Sequence, residues 1–458
     1  MTTAPVAADL SLPPSGGAEP EPTSAQSTRR ANIALGVFLA AYILSFMDRQ
    51  ILSLMVEPIR RDLGISDLQI GLLQGLAFAA LYSVVGIPIG LLADRLSRRV
   101  IISSGVLFWS ACTALCGFAA SYPMLFLARM GVGVGEAALS PAAHSSMSDA
   151  FPPARLSRAM AIYTLGITIG GGVALLVGGS VVDMIASLGE VILPGDVRLT
   201  AWRAAFLIVS LPGALVAGLV LLTREPKRRG HSMALPGGLR PVLRHLGANW
   251  RCFLSIYGNS TLLSIVGYGL MAWYPTLLIR RFDMSAGMAA TWLGLAYLVF
   301  GSLGTLTGGA WAERLALKGR SEANMRVVTM LSLACILPAA LAPIMPTPLL
   351  VILLFVPLTF FHNGYFACST AAIQLTMPGT MRATGAALFL MANSLVGLSL
   401  GTAAVPLIGA AVGGDHGGLG GALSLIGGLG CTGAALVGWW GLRAYGALVT
   451  RTAGHAAT

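Results

Sequence analysis

The stretch GLLADRLSRR at residues 90–99 has a degenerate copy, GAWAERLALK, at 309–318. Gly90, Asp94 and Arg95 match Gly309, Glu313 and Arg314 at a constant offset of 219 residues. Each copy follows one long apolar run and precedes another. Two hydrophobic halves that carry the same charged hinge read as a duplicated membrane transporter. The acids in these loops carry more weight than the arginines. Membrane topology alone explains positive charge there. An acid, by contrast, can hold the positive N-terminus of a neighbouring helix or pair with a nearby Arg. Asp94, Arg95 and Arg98 in one loop, and Glu313 and Arg314 in the other, are therefore expected to latch and release a gate between the halves.

Composition supports a membrane setting. Of 458 residues, 55% are hydrophobic and only 10% charged, against about 25% charged in water-soluble domains. The net charge of +11 invites a nucleic-acid reading, but its distribution opposes one. Of 29 Lys and Arg, 21 fall in alternate loops and tails that share one side. Six (Arg60, Arg61, Arg198, Arg203, Arg280 and Arg281) fall on the other side, and Arg49 and Arg129 lie inside apolar runs. This is the positive-inside pattern, so the charge reports orientation, with no nucleic-acid partner implied. The six cysteines sit in or beside apolar segments without CxxC spacing. They read as packing residues and not as metal ligands. No cofactor motif is present in a workable setting, and no GxSxG, HExxH or P-loop pattern supports an enzyme.

About twelve apolar segments are long enough to span a bilayer. They divide at the basic stretch TREPKRRGHSMALPGGLRPVLRH, 223–245. The expected organisation is a disordered cytoplasmic tail over 1–31, a six-helix bundle over 32–223, a cytoplasmic linker over 224–250, a second six-helix bundle over 251–445, and a cytoplasmic tail over 446–458. Within the linker, 238–247 reads equally as a solvated loop or as an amphipathic helix on the membrane surface. The fold class is all-α, with twelve transmembrane helices in two pseudo-symmetric bundles. The protein is expected to be a multi-pass monomer of the cell (inner) membrane with both termini cytoplasmic.

Charges interrupt two spans of the first half. In span one, Asp48 and Arg49 follow Ile33 by 15 and 16 residues, which puts Asp48 roughly 22 Å along the helix. Each charge at that depth costs about 2.5–3.5 kcal/mol unless paired or hydrated. Span four, near 123–148, holds Arg129 and Glu136 seven residues apart and so on one helix face. Because span four runs antiparallel to span one, the four charges are expected to form one cluster. Asp48 first, and Glu136 second, are the candidate proton carriers. Arg49 and Arg129 are charge partners or headgroup contacts.

The second half lacks such acids within its spans. The 219 offset aligns Arg49 with Tyr268. Tyr268, Trp273 and Tyr274 in span seven, and Phe360, His362 and Tyr365 in span ten, make an aromatic counterpart. A cavity charged on one wall and aromatic on the other suits an amphipathic substrate, its anionic head near Arg49 or Arg129.

The hinge sequence GLLADRLSRR resembles the signature loop of the major facilitator superfamily, with Ser97 where glycine is usual. Arg129 with Gly133 and Gly135 resembles its span-four arginine motif. The stretch from Gly166 to Gly179 resembles the span-five motif of its antiporters but lacks the usual proline. FMDRQILS, GEAALSPAAHSSMSDAFPPARLSRAM and WRAAF at 202–206 are similar to the spinster family. That resemblance implies proton-coupled export, by alternating access, of lysophospholipids or sphingolipids such as sphingosine-1-phosphate, with Asp48 and Glu136 as proton sites. The rival readings are a carrier of soluble organic anions or drug-like compounds, and a non-transporting sensor on the same fold.

Overall fold

A computed structural model describes residues 25–93, 96–188, 191–193, 197–226, 239–378, 381–413 and 418–457. Eleven helices are long and apolar enough to cross a membrane. The twelfth span is present but broken. Span four consists of Tyr122–Glu136 and Leu139–Ala150, with a turn at Ala137 and Ala138 between them. The described chain is thus twelve transmembrane helices in two sets of six. The one departure from an all-α fold is a two-stranded hairpin, Val191–Leu193 with Val197–Leu199, between spans five and six.

Sequence explains the break. Gly131, Gly133 and Gly135 let span four approach its neighbours more closely than any side chain would allow. A Cβ on Gly135 would lie 2.7 Å from Trp109 Cβ in span three, Arg98–Gly117, and one on Gly133 would strike the Phe78 carbonyl in span two. Glycine also weakens helical continuity. The three glycines therefore dock span four tightly, and Pro141, which cannot donate to the Ala137 carbonyl four residues back, ends the first segment near Glu136.

Span one is the helix Ala25–Leu54. It reaches back into the segment expected to be a tail, because the last proline is Pro22 and AQSTRRAN contains no helix breaker. Residues 1–24 of that tail lie outside the described residues. Span twelve likewise runs from Leu419 to Ala457, through the expected C-terminal tail. Within the linker, Leu239–Ala248 is helical. It packs under the second half, with Val242 buried and His245 Nε2 3.1 Å from the Thr376 carbonyl.

The halves meet along two helix pairs, span five (Pro153–Leu188) with span eight, and span two (Asp67–Gln74, Leu76–Ala93) with span eleven. The second-half members of both pairs carry a π-helical turn, Ala296–Gly301 in span eight and Ala392–Leu398 in span eleven. Such turns are frequent at functional sites. The glycine run 170–172 splits its faces. Gly170 packs on Phe46 of span one, whereas a Cβ on Gly172 would lie 2.8 Å from Leu298 Cβ and 2.9 Å from the Gly294 carbonyl of span eight. Gly304 and Gly308 serve packing within the second half, against the backbone at Phe360 and Gly364.

Candidate transport site

Span one delivers two adjacent charges to opposite surroundings. Asp48 is fully buried, and neither carboxyl oxygen has a hydrogen-bond partner among the described residues. Its charged and polar neighbours are Glu136, Arg129, Trp109 and Arg49. Arg129, also buried, reaches past that carboxyl and donates from Nη1 to the Asp48 backbone carbonyl at 3.0 Å. It thereby ties span four to the backbone of span one.

Arg49 turns toward the other half. Its Nε and Nη2 donate to Glu136 Oε2 at 2.8 and 2.5 Å. Ser45 Oγ, one helical turn earlier, donates to the same oxygen. Glu136 Oε1 is buried without a partner. The guanidinium lies 4.2 Å from the Phe78 ring centroid and 5.3 Å from that of Tyr82. Its side chain keeps 18% exposure while Glu136 has none, so part of this cation is presented to the space between the halves. Tyr268 stands across that space, partly buried, packed against the first half's core and electrostatically coupled to Arg49. The residue that the duplication offset pairs with Arg49 thus faces it.

Two further groups line the first half on the hinge-loop side. Ser140 Oγ is 3.3 Å from Tyr163 Oη, and the Tyr163 ring stacks on Tyr42 at 4.8 Å. His144, one turn beyond Ser140, meets Tyr163 edge-on and is exposed. Ser140 and His144 share one face of the second segment at four-residue spacing, just beyond Glu136. That spacing was readable, yet serine and histidine in a polar stretch gave no reason to single them out.

The aromatic set named from sequence divides in the structure. Ser264 Oγ donates to Asn393 Oδ1 at 2.5 Å in the π turn of span eleven, which leaves Tyr365 Oη to donate to Ser264 Oγ, 2.9 Å away. Trp273 and Tyr274 are wholly enclosed. Trp273 Nε1 donates to the Thr402 carbonyl at 2.8 Å, and Tyr274 packs on Phe355. His362 lies 2.9 Å from the Leu263 carbonyl, with its ring against Gly267. Phe360 is partly buried beside Phe361. Trp273, Tyr274 and His362 therefore pack helices of the second half and offer no face to a cargo. Their backbone contacts satisfy the Trp273 and His362 ring nitrogens, whereas the Tyr274 hydroxyl is buried without a partner among the described residues.

At the hinges, Asp94 and Arg95 lie outside the described residues. Arg98 is buried and bound within the first half, to Asp149 at 2.6 Å and to the Ser145 carbonyl at 3.1 Å. The acid that caps span three is Glu225, which accepts from the Arg98 backbone N–H at 2.9 Å and from Ser97 Oγ. Glu313 and Arg314 are exposed, and no ion pair joins either among the described residues. Among the described residues, no latch of Glu313 or Arg314 is formed in this state.

The latch that is formed lies at the opposite face. Arg280, near the end of span seven (Trp250–Phe282), grips Asp67 with both terminal nitrogens at 2.7 and 2.8 Å and donates from Nε to Glu57 at 2.5 Å. Arg60 adds a contact to Asp67 at 2.9 Å. Nearby, Asp183 of span five accepts from the Gly287 backbone N–H at 2.9 Å and from Ser285 Oγ at 3.0 Å at the start of span eight. Thr402 of span eleven donates to the Gly71 carbonyl of span two at 2.8 Å. All of these except the Arg60–Asp67 pair cross between the halves. Bidentate Arg–carboxylate pairing is among the stronger polar contacts.

The family model for the Major Facilitator Superfamily matches residues 38–399. The chain belongs to this superfamily. It is similar to an MFS-type efflux pump of Mycolicibacterium smegmatis, 33% identical over 81% of this chain and 82% of that protein. It is similar to the sphingosine-1-phosphate transporter SPNS2 of Xenopus tropicalis, 29% identical over 57% of this chain and 48% of that one. The chain therefore aligns with about half of that relative's length. Among solved structures it matches a bacterial homolog of the human lysosomal transporter spinster in an inward-facing, unoccupied conformation. The TM-score is 0.74 with 27% identity, covering 92% of this chain and 97% of the other. The protein is a multi-pass membrane transporter of a small-molecule substrate with spinster-like relatives.

Two outcomes follow from the charges. Removing one partner of a buried ion pair strands the other, at about 3–5 kcal/mol. Glu136→Gln is expected to lower the melting temperature of the purified protein. The double change Arg49→Gln with Glu136→Gln is expected to recover most of that loss in the same melt, while transport stays absent. Arg280→Gln is expected to loosen the closed face. An impermeant thiol reagent applied from that face should then label a Tyr268→Cys reporter several-fold faster, against the low background of six buried native cysteines. Unchanged labelling would remove Arg280 from the gate.

Proposed function

We propose that this transporter couples protons to the movement of an amphipathic, anionic, lipid-like substrate of the lysolipid or sphingoid-phosphate class, by alternating access as a monomer. One observation carries the reading. A partly exposed Arg49, neutralised by a fully enclosed Glu136, faces Tyr268 of the second half across the space between the halves.

The chemistry is a competition. An anionic headgroup that enters takes up the Arg49 guanidinium, and Glu136 is left with Ser45 alone. A carboxylate enclosed without its cation is costly. A proton on Glu136 removes that cost. When the substrate leaves, Arg49 returns to Glu136 and the proton departs. Ser140, Tyr163 and His144 extend from Glu136 toward the hinge loops and supply a polar route for it. This ranks Glu136 ahead of Asp48 as the coupling acid, because Glu136 shares its partner with the substrate. Asp48 is the second titrating site, sealed here and open to change when Arg129 shifts. The apolar part of the substrate rests against Tyr268, Met271 and Leu395, partly buried residues on the second-half wall.

The hinge loops are placed in the cytoplasm of a cell with both termini inside, following the arginine distribution. With Arg280 holding the opposite face shut, the state described here is inward-facing, like that of the spinster homolog. Asp94 and Glu313 remain the proposed partners of the latch that closes the hinge end in the other state.

The similarity to an efflux pump favours a second reading, export of drug-like compounds. Proteoliposomes separate the two. Labelled lysophospholipid and sphingosine-1-phosphate are expected to move faster under a pH gradient, and a competitor series is expected to gain potency with alkyl chain length. Glu136→Gln should abolish the gradient's effect, and Asp48→Asn should reduce it. Flux of neither lipid, with transport of short-chain anions or cationic drugs, would overturn the lipid assignment. Gradient-driven flux surviving in both variants would overturn the proton assignment.

A further inference from the structure

Away from the central space, a groove of about 950 Å³ opens on the outer surface between spans nine (Ala323–Leu341) and twelve. Its chemistry is graded along its length. Leu333 and Met330 lie deepest, beside Trp439. Arg326, Arg443 and Thr450 lie toward the hinge-loop end. None of the described residues covers it, since Trp439 is 69% exposed and Trp440 50%.

Helix length sets the depth of this groove in the bilayer. Span twelve begins at Leu419, and Trp439 follows 20 residues later. That is roughly 30 Å of helix, about the thickness of the hydrocarbon core. Trp439 and Trp440 therefore sit at the boundary where tryptophan concentrates. Arg443, a further turn along, stands at headgroup level. Arg326, one turn inside span nine, stands opposite.

The charges at that level are predominantly positive. Glu322 is occupied by Arg326 at 3.0 Å and Arg320 at 3.6 Å. Arg443 is exposed and has no carboxylate partner among the described residues. On the other flank of span twelve, Arg251 stacks over Trp250 and Trp440 at 5.5 and 5.9 Å, next to a smaller groove that includes Arg451. Basic pockets between helices at the membrane surface suit anionic lipid headgroups, and guanidinium groups match phosphate geometry.

We propose that this groove is a binding site for an anionic glycerophospholipid of the surrounding bilayer. Arg443 and Arg326 hold its phosphate, and an acyl chain lies along Trp439, Met330 and Leu333. The site is separate from the transport route and does not depend on the substrate assigned above.

The test is native mass spectrometry of the purified full chain with phosphatidylglycerol and phosphatidylcholine of matched acyl chains. The wild-type protein is expected to retain phosphatidylglycerol at least about fivefold better, since both lipids carry a phosphate but only phosphatidylcholine adds a quaternary ammonium that the guanidinium groups repel. Arg443→Ala, a change at an exposed position, should bring retention close to that of phosphatidylcholine, and Arg443→Lys should keep part of the preference. Arg49→Gln in the central space should leave it intact. Equal retention of the two lipids by the wild type would overturn the proposal. So would a preference that survives Arg443→Ala but is lost in Arg49→Gln, which would put the lipid in the central space.

Discussion

Arg49 and Glu136 depend on each other. Neither charge is tolerable at mid-depth in so apolar a chain without a partner, and each is supplied by a different helix of the first half. The remaining contacts of spans one and four serve that pairing. Ser45 adds a second donor to Glu136, Arg129 fastens the Asp48 backbone, and the span-four glycines bring the helix close enough for the carboxylate to reach. A buried ion pair is weak evidence for stability, because desolvation offsets much of its attraction. Its value here lies in being divisible: one member is open to the space between the halves and the other is enclosed. A ligand that competes for the open member changes the state of the enclosed one.

Such a switch needs a scaffold that moves as two bodies. Spans five and eight, and spans two and eleven, approach closely where glycines meet the opposing helix. Small-residue interfaces let helices approach closely in lipid. The strong cross-links between the halves, Arg280 with Asp67 and Glu57, and Asp183 with the start of span eight, gather at one face. At the hinge face Glu313 and Arg314 are unpaired among the described residues. Polar links at one end and a glycine-lined seam between them are the parts that a rocking motion requires.

Much of this was legible from the residues. The hinge repeat and the density of apolar runs were enough to read two six-helix halves. The cost of charge in lipid singled out Asp48, Arg49, Arg129 and Glu136, and the structure brings the four together. The 219 offset led to Tyr268. What stayed hidden required direction. An aromatic in an apolar helix carries no sign of which way it points, so Trp273, Tyr274 and His362 read like Tyr268 although they pack inward. The break in span four fell where the apolar pattern gives way to a polar one, which reads equally as one continuous span. Glu57 and Asp67 looked like ordinary loop acids, and only three-dimensional folding sets them against Arg280. Glu225 was passed over because the acid of the hinge motif, Asp94, drew the reading to itself.

The central claim is that substrate and Glu136 compete for one cation and that a proton settles the difference. Proton uptake on ligand binding tests it without transport. Calorimetric titration of lysophospholipid into purified protein, in buffers of different ionisation enthalpy, counts the protons exchanged. The account predicts about one proton taken up per lipid bound, the balance that restores neutrality when an anion displaces a carboxylate from its partner, and none in Glu136→Gln. Binding with no proton uptake, or uptake unchanged in Glu136→Gln, would contradict it.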